Sequence, residues 1–193
     1  MRFLSYISNM AKNLDHLGIK SIVDSYDLFF IDLWGVVHNG IKLYDHSIEV
    51  LGNLTTAKKD FVLLTNAPRP NENVVNFLKK IGLKKYFENV FTSGEAAHKY
   101  LLSELDKQKF FHIGPPRDFD LFKNIEKNNV LNIEEADYLL CTGLFDDHEN
   151  DLNYYKNLLS NHISKKMICT NPDLIVDRGK KREYCAGSVA KSF

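Results

Sequence analysis

Two short apolar runs in the first third of the chain each end in polar side chains, and a glycine or proline follows within three residues. Residues 28–32 read Leu-Phe-Phe-Ile-Asp, and residues 61–66 read Phe-Val-Leu-Leu-Thr-Asn. Continuous apolar runs of this length are typical of buried strands in a parallel sheet. The pattern therefore predicts two strands that deliver Asp32, Thr65 and Asn66 to their carboxyl ends.

A helix is predicted between these two strands, over residues 46–59, because Ile48, Leu51 and Leu54 recur at helical spacing. A strand–helix–strand unit makes a right-handed crossover, which places the two strand ends side by side. Ligands of open α/β sheets bind in the crevice outside such ends. Asp32 beside neutral hydroxyl and amide donors suits phosphoryl transfer, and a cluster of structural turns is the alternative that the pattern alone leaves open.

The rest of the chain repeats the alternation of strands and helices. The first series runs to about residue 107, and a second series begins at Phe110. The further predicted helices cover residues 3–17, 71–81, 94–107, 118–127 and 151–161, and the further predicted strands cover residues 90–92, 110–113, 138–141 and 167–170. Strands that alternate with helices indicate an α/β fold with parallel sheets.

Composition argues against two classes of partner. The chain has 25 basic and 25 acidic residues and a formal net charge of zero, whereas a nucleic-acid-binding surface needs a basic excess. No run of about 18 apolar residues is present, so no membrane span is predicted. The three cysteines, Cys141, Cys169 and Cys185, are odd in number and far apart, which favours free thiols in a reducing cytoplasm.

Five segments, in this order along the chain, resemble motifs of the class IIA branch of the haloacid dehalogenase superfamily. They are residues 32–40 (Asp-Leu-Trp-Gly-Val-Val-His-Asn-Gly), 64–69 (Leu-Thr-Asn-Ala-Pro-Arg), 91–94 (Phe-Thr-Ser-Gly), 169–173 (Cys-Thr-Asn-Pro-Asp) and 186–188 (Ala-Gly-Ser). That branch includes the NagD-like and p-nitrophenyl-phosphatase-like hydrolases of sugar, nucleotide and pyridoxal phosphates. The resemblance covers nearly the whole chain from about Tyr26 onward.

The resemblance implies a Rossmann-like core with a parallel sheet and an inserted α/β cap domain of the C2 type. On this basis, residues 1–107 are assigned to the N-terminal part of the core, residues 108–184 to the cap, and residues 185–193 to the start of the return to the core. The cap supplies specificity in this branch, and its loop at Asn171 and Asp173 is placed near the substrate. The alternative for that loop is an Asn-Pro turn without substrate contact.

The resemblance also implies a role for each polar residue at the strand ends. Asp32 is the expected nucleophile, which attacks phosphorus to give an aspartyl-phosphate that water later hydrolyses. The Asp32 carboxylate and the backbone carbonyl of Trp34 are expected to bind Mg²⁺. Thr65 and Asn66 are expected to hold the phosphoryl oxygens of a small phosphorylated metabolite.

Trp34 departs from the pattern of the superfamily's phosphatases, which usually carry a second Asp at this position. That Asp protonates the leaving oxygen and later activates water, and an indole transfers no proton at neutral pH. Positioned acid–base groups contribute about 10²–10⁴-fold in rate. The haloacid dehalogenases themselves have an aromatic residue here, since a halide leaves without a proton. Trp34 therefore favours leaving groups that depart unprotonated.

The third-motif Lys and the fourth-motif acidic pair of the superfamily lie beyond the Ala-Gly-Ser segment, and the sequence ends at Phe193. Asp146-Asp147 resembles the acidic pair superficially and is interpreted as a solvated turn, because it lies in the expected cap. We therefore expect a C-terminally truncated enzyme that is inactive as this fragment and that forms a homodimer or associates with a separate C-terminal fragment. The alternative is a non-catalytic remnant or interaction module that keeps the fold.

Overall fold

The computed structural model describes Leu14 and residues 17–178 and 181–193. The helix predicted over residues 3–17 lies almost entirely outside the described residues. Within them, strands and helices alternate through two parallel sheets, which confirms the α/β fold class. None of the described helices has the length and the apolar character needed to cross a membrane.

The first sheet has three parallel strands in the order β1-β2-β3. Its strands are β1 (Leu28–Asp32), β2 (Asp60–Thr65) and β3 (Val90–Thr92), and its helices are α1 (Asp45–Thr56), α2 (Asn71–Lys80) and α3 (Ser93–Glu104). The register pairs Asp32 with Leu64, so β1 and β2 end at the same edge of the sheet. The predicted crossover and its adjacent strand ends are therefore confirmed.

Helices α1 and α2 cover one face of this sheet. Both are amphipathic, with Leu51 and Leu54 buried on α1 and Val74 and Leu78 buried on α2. These side chains form one apolar cluster with Leu63 of β2. Burial of these apolar faces stabilises the two helices more than their intrinsic propensity does.

Strand β1 is buried on one face only, although its apolar run predicted a buried strand. Phe29 and Ile31 pack against the cluster under α1 and α2, whereas Leu28 is 47% and Phe30 is 67% exposed. Within the described residues β1 pairs only with β2 and forms an edge of the sheet. An apolar run therefore identifies the strand correctly but does not report how many layers cover it.

The second sheet has four parallel strands in the order β5-β4-β6-β7. Its strands are β4 (Phe110–Ile113), β5 (Asn129–Val130), β6 (Tyr138–Cys141) and β7 (Lys166–Cys169), and α4 (Leu152–Leu159) precedes β7. Central strand β6 is buried along its whole length. Leu139 and Cys141 pack into a cluster with α4, and Tyr138 and Leu140 pack into another cluster with α3, so both faces of β6 are covered.

The α-helix predicted over residues 118–127 is wrong. The chain there forms two 3₁₀ helices, Pro116–Phe122 and Glu126–Asn128, and then the short strand β5, which the hydrophobic pattern did not predict. Asn124 lies between the two 3₁₀ helices with a left-handed φ of 79°. A non-glycine residue adopts that conformation only as an isolated turn, so it interrupts an α-helix.

After β7 the chain forms a β-hairpin that the sequence pattern did not predict. The antiparallel strands β8 (Ile175–Arg178) and β9 (Lys181–Tyr184) pair over four residues each. Charged residues occupy most of this segment, which hides the alternation that usually identifies a strand. The hairpin leads directly into the last helix of the chain.

Helix α5 (Ala186–Ser192) packs on the second sheet. Its residues Ala186 and Val189 are buried in the same apolar cluster as Tyr155 of α4. The assignment of residues 1–107, 108–184 and 185–193 to core, cap and returning core stays a prediction. In the structure, residues 185–193 pack on the second sheet.

Candidate active site

The carboxyl ends of β1 and β2 open into a cleft of about 940 Å³ that both sheets and the β8–β9 hairpin enclose. Its polar lining includes groups at the ends of four parallel strands and on the hairpin: Asp32 and Trp34 at the end of β1, Thr65, Asn66 and Arg69 at the end of β2, Arg117 and Asp118 after β4, Asn171 and Asp173 after β7, and Asp177 on β8. The fold thus brings into one cleft every residue that the sequence assigned to the site. The roles of those residues stay predictions.

A tight turn after β1 presents the Asp32 carboxyl to this cleft. Leu33 is buried, and its carbonyl accepts hydrogen bonds from the N–H groups of Val37 at 2.8 Å and His38 at 3.1 Å. Gly35 has a left-handed φ of 79°, a conformation that favours glycine. The chain therefore turns away directly after Asp32 and leaves its side chain at the strand end.

The pKa of Asp32 is raised above its ordinary value. Partial burial of the carboxyl is the largest cause, and a hydrogen bond from the Leu33 N–H opposes it. Repulsion from the nearby Asp173 carboxylate raises the pKa further. The residue still faces solvent on the cleft side. Two carboxylates that repel each other are stabilised by a cation or by a shared proton.

Asn66 and Asp173 form a direct link between the two halves of the chain. Nδ2 of Asn66 donates a hydrogen bond of 3.0 Å to Oδ1 of Asp173. The hydroxyl oxygen of Thr65 accepts a bond of 3.2 Å from the N–H of Ala67 and so stabilises its own turn. Asp173 therefore lies beside both Asp32 and Asn66, at the centre of the candidate site.

The first turn of α5 fixes the loop that carries Asp173. The Gly187 N–H donates to the Asp173 carbonyl at 3.1 Å, and the Ser188 hydroxyl donates to the Leu174 carbonyl at 2.6 Å. A Cβ on Gly187 would lie 2.3 Å from the carbonyl oxygen of Pro172, so only glycine permits this approach. The Ala-Gly-Ser segment therefore acts as the support of the Asp173 loop.

Asn171 lines the cleft but uses its side chain within its own turn. Its Oδ1 accepts a hydrogen bond of 3.0 Å from the Asp173 N–H. The neighbouring Thr170 carbonyl accepts a bond of 2.5 Å from the Ser93 hydroxyl, which ties the loop to the start of α3. The structure therefore contains the Asn-Pro turn that was the alternative interpretation of this loop. The same turn also presents Asp173 to the site.

Trp34 joins the turn after β1 to the hairpin. Its indole N–H donates to the carbonyl of Asp177 on β8 at 3.3 Å. Its ring meets the His38 ring edge to face with 5.3 Å between centroids, and a Cβ on Gly40 would lie 2.6 Å from the indole. Trp34 therefore forms a packed wall of the cleft, at the position where the resemblance led us to expect an acid.

An ion pair that the sequence did not predict crosses the cleft. Nε of Arg69 donates to Oδ1 of Asp118 at 3.3 Å, and the Asp118 side chain is only 5% exposed. Burial raises the pKa of Asp118, and the positive charges of Arg69 and Arg117 oppose the increase. A second bond, from Nδ2 of Asn73 to Oδ2 of Asp120 at 2.9 Å, joins the same two parts of the chain. The sequence feature that could have indicated this pair is Arg69, the last residue of the second motif segment.

The described residues offer few clustered side chains that could bind a metal ion. Among the described residues, no group of three or more His, Cys, Asp and Glu side chains is arranged to hold a metal ion. Asp146 and Asp147 lie in an exposed 3₁₀ turn, where Asp146 pairs with Arg117 at 2.6 Å. This position agrees with the interpretation of Asp146-Asp147 as a solvated turn.

The chain is similar to known hydrolases. A family model described as haloacid dehalogenase-like hydrolase matches residues 29–127. The crystal structure of a haloacid dehalogenase-like hydrolase from Brucella suis is 33% identical, with a TM-score of 0.80 over 90% of this chain and 66% of that chain. The 4-nitrophenylphosphatase of Thermotoga maritima is 25% identical, with a TM-score of 0.67 over 89% of this chain and 65% of that chain.

A curated relative points in the same direction. Phosphoglycolate phosphatase 2 of Arabidopsis thaliana is 24% identical over 164 residues, and the match covers 74% of this chain and 53% of the relative. This chain thus spans about half the length of that relative and about two thirds of the length of the two solved structures.

Proposed function

Because this chain belongs to the haloacid dehalogenase-like hydrolase family, we propose that its cleft is the phosphoryl-transfer site of a phosphatase that acts on a small phosphorylated metabolite. Two of its relatives carry the names 4-nitrophenylphosphatase and phosphoglycolate phosphatase 2. The observation that carries the proposal is the convergence of Asp32, Thr65, Asn66 and Asp173 at the carboxyl ends of neighbouring parallel strands.

In the proposed reaction, a carboxylate oxygen of Asp32 attacks phosphorus. A P–O bond to Asp32 forms while the bond from phosphorus to the leaving oxygen breaks. The Thr65 hydroxyl and the Asn66 amide lie at the neighbouring strand end and donate to the phosphoryl oxygens. The Asn66 amide exchanges its bond to Asp173 for a bond to the substrate. Water then hydrolyses the aspartyl-phosphate and restores Asp32.

We propose Mg²⁺ as the cofactor, with the Asp32 carboxylate and the Trp34 backbone carbonyl as its protein ligands. The donor set fits this ion, because Mg²⁺ prefers oxygen ligands and often binds one or two carboxylates while waters and substrate phosphate complete its shell. The repulsion between Asp32 and Asp173 is the strain that a cation would relieve. When bound, the ion offsets the negative charge of the phosphoryl group.

Trp34 restricts the leaving groups that this site accepts. Its indole bonds the Asp177 carbonyl and offers no titratable proton. Among the described residues that line the cleft there is no lysine to neutralise the phosphate. The expectation that this fragment is inactive is therefore kept in this proposal for alkyl phosphates, whose leaving oxygen needs a proton, and is not extended to aryl and acyl phosphates. Aryl and acyl phosphates react faster, because their leaving groups depart unprotonated.

The second candidate function is a non-catalytic module that keeps the fold and binds phosphorylated ligands. Trp34 favours this function, because it occupies the position of the acid and attaches the β8–β9 hairpin to the site. Such a module binds phosphate esters with the same residues but releases no phosphate. Release of product therefore separates the two candidates.

The test compares two Asp-to-Asn variants on neighbouring strands. Asp32→Asn removes the nucleophile, whereas Asp60→Asn changes an exposed carboxylate at the opposite end of β2. With acetyl phosphate and p-nitrophenyl phosphate as substrates and Mg²⁺ present, we expect Asp60→Asn to keep the wild-type rate of phosphate release. We expect Asp32→Asn to lose at least about 10³-fold, because an amide neither attacks phosphorus nor anchors the ion. Equal rates in the two variants contradict the assignment, and a wild-type chain that binds these two phosphorylated compounds without releasing phosphate supports the module.

The proposed setting is a reducing cytoplasm, in which the three free cysteines stay reduced. We also propose that a second copy of this chain, or a separate C-terminal segment, covers β1, since Leu28 and Phe30 are exposed along a sheet edge. Sedimentation of the purified chain measures this. Phe30→Lys should shift the chain toward monomer, and an unchanged distribution contradicts association through β1.

A further inference from the structure

Two arginines, Arg69 and Arg117, are the cations among the described residues that line the cleft. The proposed phosphoryl transfer uses neither of them. Arg117 pairs with Asp146 at 2.6 Å, and the two side chains are 60% and 58% exposed, so the pair is a solvated one of small energetic value. Arg69 differs from it because its surroundings fix both its backbone and its side chain.

The backbone of Arg69 is held against the start of α3. The Thr92 hydroxyl donates to the Arg69 carbonyl at 2.5 Å. A Cβ on Gly94 would lie 2.1 Å from the Arg69 nitrogen, so the two backbone segments are in direct contact. The position of Arg69 relative to the end of β2 is therefore set by packing.

One side of the Arg69 guanidinium is fixed and the other is free. Nε donates to the carboxyl of Asp118, whose side chain is 5% exposed, whereas the Arg69 side chain is 41% exposed. Across the part of the chain that the structure describes, the two Nη groups make no hydrogen bond to protein. These two groups form the planar fork that matches a carboxylate or a phosphate.

The other charges around the cleft do not compete for this fork. Glu149 and Glu183 share Lys181, and Asp177 pairs with Arg182, so three of the cleft's carboxylates are paired with cations other than Arg69. The remaining carboxylates are the two at the phosphoryl site and the buried partner of Arg69. The free fork is thus available to an anion that enters with the substrate.

The two anion sites belong to one short segment of the chain. Arg69 follows Thr65 by four residues, so their Cα atoms are at most roughly 13–14 Å apart, and both residues line the same cleft. We propose that Arg69, held by Asp118, binds a second anionic group of the substrate, so that this site selects small phosphate esters that also carry a carboxylate or a second phosphate. This inference rests on the proposed phosphatase function, which supplies the first anion site.

The test uses phosphonates, which do not turn over, so it measures binding rather than catalysis. In calorimetry with Mg²⁺ present, 3-phosphonopropionate carries a carboxylate, 1,3-propanediphosphonate carries a second phosphonate, and propylphosphonate carries neither. We expect the first two to bind the wild-type chain at least about tenfold more tightly than propylphosphonate, because a charge-assisted bidentate pair forms only with them. The ratio between the first two compounds identifies which second anion the site prefers.

Arg69→Gln should reduce this preference to about one while leaving the affinity for propylphosphonate unchanged. Arg69→Lys keeps the charge but loses the fork, and it should retain only part of the preference. The control is Arg182→Gln, an exposed arginine that also pairs with a carboxylate but does not line the cleft, and it should keep the wild-type preference. Equal affinities of the wild-type chain for all three compounds overturn the second anion site alone. Failure of all three to bind contradicts the phosphoryl site, and the second site with it.

Discussion

Strands β1 and β6 are both parallel strands with apolar sequences, yet their surroundings differ completely. All four residues of β6 are buried, and strands flank it on both sides. In β1 the residues alternate between exposed and half-buried, and Leu28, Phe30 and Asp32 share the exposed face. The second sheet is covered on one face by α4 and α5 and on the other by α3, whereas the first sheet is covered on one face by α1 and α2.

The two sheets have different roles: the second is the better buried, and the first carries the candidate reacting group. The closed second sheet carries α5, which in turn supports the loop of Asp173. The open first sheet carries Asp32 and the Thr65-Asn66 pair at its strand ends. The candidate site therefore depends on both: one sheet supplies the reacting group, and the other holds the loop that faces it.

The largest predicted effect comes from replacing a leucine by alanine at one position in each sheet. Leu139→Ala on β6 removes a side chain that is 0% exposed, and Leu28→Ala on β1 removes one that is 47% exposed. We expect Leu139→Ala to lower the free energy of unfolding by about 2–5 kcal/mol and Leu28→Ala by less than about 1 kcal/mol. Urea titration of the two variants measures both values, and similar costs would show that β1 is as well covered as β6.

The next prediction concerns acid sensitivity of the second sheet. His112 on β4 is 7% exposed, its Nε2 lies 2.8 Å from the Thr142 hydroxyl, and burial lowers its pKa from the ordinary 6.5 to about 4. Between pH 6.5 and about pH 4, His112 is protonated in the unfolded chain but neutral in the folded chain. Stability that is complete above that range is therefore lost as the pH falls through it, by up to about 3 kcal/mol.

Comparison with His112→Asn isolates this contribution from that of other groups, including the buried Asp118, whose raised pKa acts in the opposite direction. The free energy of unfolding is measured for both proteins between pH 7 and pH 4. The difference between wild type and variant should shrink steadily on acidification. A difference that is independent of pH contradicts the buried, neutral state of His112.

A smaller effect is expected from a substitution that tests whether α5 supports the Asp173 loop. Gly187→Ala places a Cβ 2.3 Å from the Pro172 carbonyl, whereas Gly52→Ala in α1 meets nothing closer than 3.8 Å, at the Tyr86 hydroxyl. We expect Gly187→Ala to cost about 2 kcal/mol, because the loop has to shift. Gly52→Ala should stabilise by up to about 1 kcal/mol through helix propensity. Thermal unfolding separates the two, and a neutral Gly187→Ala shows that α5 does not support the loop.

Local pattern was sufficient to predict β1–β4, β6 and β7 and the neighbouring ends that carry Asp32 and Thr65, because short apolar runs and an amphipathic crossover helix are strong sequence signals. It failed at residues 118–127, where the left-handed Asn124 ends helical structure without glycine or proline as a signal. It also missed the hairpin, whose strands are mostly charged. The bond between Asn66 and Asp173 joins residues 107 positions apart, and no local pattern reports such a contact.

The Arg69–Asp118 pair escaped prediction for a related reason. Each residue is unremarkable in its own segment, and the pair exists only because the second sheet lies across the cleft from the first. The resemblance to a known family placed Asn171 and Asp173 near the site, and the structure adds the support by which α5 holds them there.

Asp32 is the residue that we propose accepts the phosphoryl group, and finding that group on the chain tests this proposal. The wild-type chain and the Asp60→Asn control are incubated with acetyl phosphate and Mg²⁺, quenched in acid, reduced with borohydride and mapped by peptide mass spectrometry. Reduction converts an aspartyl-phosphate to homoserine. We expect homoserine at position 32 in both proteins and nowhere in Asp32→Asn. Homoserine at another carboxylate, or at none in the wild-type chain, rules out Asp32 as the nucleophile.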